Sequence, residues 1–124
     1  MSKGLVEEMQ EIFMNNVRLQ FQYYKVLGDR TFAQLEEEQL FWQFNPESNS
    51  IAVMVNHITG NMKSRWTDFL TSDGEKEWRN REKEFEDLIK SRVQLEERWE
   101  EGWHGLFHAL NSITSENFNT KIYI

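Results

Sequence analysis

Residues 45–70 read NPESNSIAVMVNHITGNMKSRWTDFL. The opening stretch, Asn45-Pro46-Glu47-Ser48-Asn49-Ser50, collects turn formers, and either Asn49 or Ser50 is a suitable N-cap for a helix beginning at Ile51. From Ile51 onward the apolar residues Ile51, Met54, Val55, Ile58, Met62, Trp66, Phe69 and Leu70 recur at helical spacing. That pattern predicts a long amphipathic helix that stops around Thr71-Ser72-Asp73-Gly74. A helix with one apolar stripe needs partners, and the flanking sequence supplies them.

Upstream, Val6, Met9, Phe13, Val17, Phe21, Tyr24 and Leu27 make one stripe and predict a helix from Leu5 to Leu27, closed by Gly28-Asp29. A short helical turn capped by Thr31 is expected over Leu35 to Gln39, with Leu40-Phe41-Trp42-Gln43-Phe44 carrying aromatics to the core. Downstream, Glu75 to Glu84 is densely charged around Trp78 and reads as an exposed loop. A third long helix is expected from Phe85 through Leu88, Arg92, Leu95, Trp99, Leu106, Ala109, Leu110 and Ile113. Gly102 and Gly105 each weaken it by roughly 1 kcal/mol relative to Ala, which points to a close helix contact or a bend. The tail after Asn111 is too short for another bundle helix.

The fold class expected is all-α, an up-down antiparallel helical bundle with three long helices and a short connector, in a single domain over residues 1–124. Three amphipathic helices leave a face that a fourth usually closes. A homodimer is therefore expected.

Composition narrows the function classes. Acidic side chains outnumber basic ones by 21 to 14 for a formal net charge of −7, so the surface repels phosphate backbones and nucleic acid is not an expected partner. The absence of cysteine excludes disulfides, thiolate ligands and a cysteine nucleophile. No run approaches the ~18 apolar residues of a membrane span, and the N-terminus has no apolar leader. No membrane partner is expected, and a cytoplasmic location is the default. Aromatic residues make up 14% of the chain, and core packing is their first explanation.

Three histidines are the candidate metal ligands. His57 stands three residues after Met54 and four before Asn61, at the edge of the apolar stripe, where an imidazole can look into the bundle. One such residue is too few, because a zinc, nickel or iron site generally takes at least three protein ligands. His104 and His108 are four apart and share a helical face, but that face continues through Glu97, Glu101 and Asn111. It reads as a polar surface, with a surface metal site as the alternative. The runs Glu36-Glu37-Glu38, Glu96-Glu97 and Glu100-Glu101 read as solvated faces. There is no phosphate loop, no Ser-His-Asp order and no paired Glu-x-x-His motif. Catalytic residues stay unassigned.

The segment Phe41 to Ala52, then His57, Gly60-Asn61-Met62 and Ser64 to Glu75, with Trp78-Arg79-Asn80-Arg81, Gly102-Trp103 and Leu106 to Asn111, resembles an uncharacterised bacterial family within the DinB-like superfamily of four-helix bundles. The resemblance spans nearly the whole chain. It implies a divalent metal held by three histidines, one on the second long helix and two at four-residue spacing on the last helix. His57 matches the first of these. The other two have no counterparts, because the fourth helix that carries them is not in this sequence, and His104 and His108 belong to the third. Metal-dependent activation of a small thiol or of water is what the resemblance implies for an intact site.

Two readings stand side by side. One is a DinB-like protein descended from metal-dependent enzymes, with His57 as a ligand and an unknown small-molecule substrate. The other is a non-catalytic bundle that works by homodimerisation or by binding a partner helix.

Overall fold

The structure is a computed structural model that describes residues 4–86 and 88–124. The described residues form four α-helices and one 3-10 turn: α1 (Leu5–Ala33), α2 (Glu37–Leu40), α3 (Ile51–Trp66), the 3-10 turn Lys83–Phe85, and α4 (Arg92–Asn111). No strand occurs among the described residues, and the helices pack as a bundle.

The helix that anchors the fold starts as expected. Ser50 is its N-cap, and its buried hydroxyl accepts from the Val53 amide at 3.1 Å. It ends four residues earlier than the apolar pattern suggests. Thr67 turns extended and Asp68 takes a left-handed conformation at φ 49°, which an Asp side chain tolerates better than most. Phe69 is still buried, but it reaches the core from a turn. Ser64, fully buried, then ties the next loop down by donating to the Gly74 carbonyl at 2.6 Å and accepting from the Lys76 amide.

α1 runs through Gly28 and Asp29 instead of stopping there. The glycine is a packing residue: a Cβ at Gly28 would lie 2.3 Å from Trp99 Cζ2, so its absence lets the indole press against the helix. Asp29 fixes that ring by accepting from Trp99 Nε1 at 2.8 Å. Thr31 lies inside α1 and its hydroxyl bonds back to the Leu27 carbonyl, so it caps nothing. The connector helix is capped by Glu36, in a reciprocal pair with Gln39. Its Leu40 is fully buried.

α4 begins at Arg92, seven residues later than the stripe from Phe85 implies, with Ser91 as N-cap. Arg92 therefore does not sit on an apolar stripe. Its guanidinium donates to the Phe32 and Leu35 carbonyls at the C-terminal end of α1, where a cation is favoured by the helix dipole. At Gly102 the expected close contact exists, since a Cβ there would lie 3.0 Å from Met62 and 3.1 Å from Thr59, both on α3; Gly105 faces open space.

Paired positions give the helix directions. Arg18 reaches Asn111, Lys25 reaches Glu100 and Phe32 packs on Trp99, so α1 and α4 run antiparallel. On the other side Asn56 meets Arg98 while Thr59 and Met62 meet Gly102, so α3 and α4 run in the same sense. Residues 67–91 are the crossover that such a parallel pair requires. The core lies between the helices, with Leu40, Ile89, Leu95, Trp99, Trp103 and Leu106 at its centre. Trp103 makes an edge contact with Phe21 of α1 and stacks on Phe107.

Residues 112–124 form no further helix. Phe118 packs edge-on against Phe13, and the Tyr123 carbonyl accepts from the Gly74 amide at 2.6 Å. No described helix is long and apolar enough to cross a membrane.

Candidate functional site

Most of the stretch from Glu75 to Glu84 is exposed, as its composition implies, but the side chains of Arg79 and Glu84 turn inward, and their burial makes the site. Its charges pair with one another and with α3. Arg79, whose side chain is 2% exposed, places Nε 2.9 Å and Nη2 3.1 Å from the two carboxylate oxygens of Glu84. Glu84 is itself buried, and its Oε1 also lies 3.0 Å from His57 Nδ1. The backbone carbonyl of Glu84 accepts from Asn56 Nδ2, and Asn56 Oδ1 accepts from Arg98 Nη1 at 2.5 Å. One polar chain thus runs from α4 through α3 to the crossover.

Gly60 makes room for it. A Cβ at that position would lie 2.2 Å from Glu84 Oε2 and 2.7 Å from its carboxyl carbon. The glycine sits one turn along from Asn56 and three residues after His57, so the helical repeat brings these three to the side of α3 that the crossover covers. Nearby, the hydrogen bond from Arg81 holds the Glu75 carboxyl below its ordinary range against the opposing effect of desolvation, with the charges of Arg81, Arg65 and Arg79 adding to the lowering.

Beside the network a cleft of about 620 Å³ opens between α3 and α4. Lys63, Trp78, Arg79, Lys83, Arg98 and His104 are among the residues that line it. Lys63 Nζ rests 5.9 Å from the centre of the Trp78 ring. Arg79 Nη1 is buried and has no acceptor among the described residues.

The histidines separate. His57 is partly buried, stacked on Phe85 with ring centres 4.7 Å apart and held by Glu84. His104 is an exposed residue on the cleft wall, and His108 is exposed one turn further along α4. Among the described residues no group of three or more His, Asp or Glu side chains converges as a metal site needs. The donors that do meet, His57 and Glu84, are a pair, and the Arg79 fork already balances the carboxylate. This chain's own donor set does not fit a resident metal by itself.

Sequence reasoning singles out His57, as a candidate metal ligand, and does not reach Arg79 and Glu84. Their charges read as solvent-facing, and the partner that neutralises each is five residues away in a segment without periodicity. The usable signal was Gly60, a glycine inside a strongly periodic helix.

No curated protein and no solved structure matches the chain. A family model described as "Protein of unknown function (DUF1572)" matches residues 8–124, nearly the whole sequence, and the chain belongs to that family.

Proposed function

We propose that this protein is a DinB-like helical bundle that works as a homodimer, with the outer face of α1 closed against the same face of a second copy. The observation that carries this reading is the apolar character of that face. Leu5, Met9, Ile12, Leu19, Tyr23 and Leu27 are 43–72% exposed, although α1 has a separate face, with Met14, Phe21 and Phe32, turned to the core. Monomers rarely expose contiguous apolar surface on this scale, and a helix of 29 residues extends about 44 Å at 1.5 Å per residue. Charge favours a copy of itself as the occupant. Glu7 and Glu8 stand in the first turn of α1 and Arg30 in the last, so an antiparallel two-fold pairing sets acids against a base at both ends.

Light scattering tests the proposal directly. The mass expected is twice the 15.0 kDa of the chain, and Ile12→Glu should halve it while circular dichroism shows the helices intact. A parent protein that is monomeric at tens of micromolar overturns the reading.

The metal-dependent reading has one supporting feature, the contact between Glu84 and His57 Nδ1. A carboxylate on one ring nitrogen is how proteins orient a metal-ligating imidazole, leaving Nε2 for the ligand. The remaining ligands would come from sequence outside these residues or from another subunit, and a zinc, nickel or iron ion so held would supply the activation of a small thiol or of water. Metal analysis of the purified protein decides it: near-stoichiometric metal that is lost in His57→Ala supports the reading, and metal content unchanged by the substitution sinks it.

A further inference from the structure

We propose that the cleft between α3 and α4 is a binding site for a small phosphate monoester. The charges on its wall are out of character for this chain. The protein carries a formal net charge of −7, yet four cations, Lys63, Arg79, Lys83 and Arg98, line this one cleft against two carboxylates, Glu84 and Glu101. Glu84 is already held by Arg79 and His57. Lys63, Lys83 and Arg98 have no carboxylate partner among the described residues: Arg98 donates to the Asn56 amide oxygen, and Lys63 lies over the Trp78 ring.

Arg79 supplies a second, independent observation. Its side chain is almost wholly buried, two of its nitrogens are fixed on Glu84, and Nη1 is left without an acceptor. Buried donors are nearly always paired, and Arg79 is among the residues that line the cleft, so its unpaired N–H points to an acceptor brought by a ligand. Glu84 sets the guanidinium plane, which makes the donor preorganised. The excess of two positive charges over the two carboxylates matches a phosphate monoester, a dianion, better than a monoanionic carboxylate. The volume of about 620 Å³ lies in the range of small-molecule sites, and Trp78, 55% exposed, offers a flat apolar surface for the ester's organic group. Polymeric nucleic acid is disfavoured by the acidic remainder of the surface.

Isothermal titration calorimetry with phenyl phosphate, inorganic phosphate and benzoate tests this on the full chain. Phenyl phosphate should bind one per chain, more tightly than benzoate, and at least tenfold more weakly to Lys63→Gln and to Arg98→Gln. Both substitutions change partly or fully exposed side chains, so circular dichroism should show them folded, and Lys121→Gln, on the tail and outside the cleft's lining, should bind as the parent does. Perturbation of the Trp78 indole resonance by phenyl phosphate would locate the ligand. Benzoate binding as tightly as phenyl phosphate overturns the phosphate assignment. Absence of saturable binding by any of the three, or binding indifferent to both substitutions, overturns the site.

Discussion

Gly60→Ala isolates the energetics of the buried network, because two effects of opposite sign meet at one methyl group. In the interior of α3 the change from Gly to Ala should by itself stabilise the helix by about 1 kcal/mol. The new Cβ, however, would sit 2.2 Å from Glu84 Oε2, and the carboxylate must move. A free glutamate would swing away at little cost, but this one is gripped by two nitrogens of Arg79 and lies against His57 Nδ1. The side chains of Arg79 and Glu84 are 2% and 9% exposed, so separating them leaves a charge with little access to water. Breaking a buried pair costs about 3–5 kcal/mol, which leaves a net destabilisation of about 2–4 kcal/mol after the helix gain. Urea unfolding followed by far-UV circular dichroism measures it. In a Glu84→Ala background the obstacle is gone, and the same substitution should become neutral or stabilising by up to about 1 kcal/mol. A Gly60→Ala protein as stable as the parent would refute the reasoning, for it would mean that Glu84 relocates freely and that the Arg79 fork does not hold it.

Gly28→Ala should cost about 1–3 kcal/mol by overpacking, because Trp99 is fixed by Asp29 and Phe32 and cannot retreat from a Cβ 2.3 Å away; a stability equal to the parent's in urea would show that the indole shifts. For Lys25, burial opposes the charged form, but hydrogen bonds to Glu100 and Asp29 outweigh it and hold the ammonium above its ordinary 10.5. A raised folded value stabilises the fold below pH 10.5 and loses that contribution as pH climbs through the folded value. Lys25→Met should therefore cost about 0.5 kcal/mol at neutral pH, and the gap to the parent should close in strongly alkaline solution.

The long periodic segments were legible in the sequence and their ends were not, for a common reason. Ile51 to Trp66 could be read because one repeat dominates and Ser50 is a strong cap. Its end at Trp66 rests on a local left-handed turn at Asp68 that no apolar residue announces. Gly28 misled because glycine has two uses. The C-terminal use needs a left-handed backbone, whereas here φ is ordinary and the missing Cβ serves Trp99, which is 71 positions later in sequence. The start of α4 was misplaced because Phe85 and Leu88 continue its spacing by chance while belonging to the crossover. Arg92 then looked like a member of a stripe when its task is to hold the end of α1.

The site obeys the same logic at one remove. Periodicity reports which side chains meet an apolar neighbour, and it is blind to charged side chains that meet each other. Arg79 and Glu84 lie in a segment whose composition says solvent. What buries them is the parallel arrangement of α3 and α4, which forces residues 67–91 to cross the bundle and presses their middle against Asn56, His57 and Gly60. An antiparallel pair would have needed only a short turn, and no crossover would exist to carry an arginine fork into the interior. The polar network and the cationic cleft beside it are therefore consequences of the topology. Shortening the crossover would remove them together, even if every helix survived.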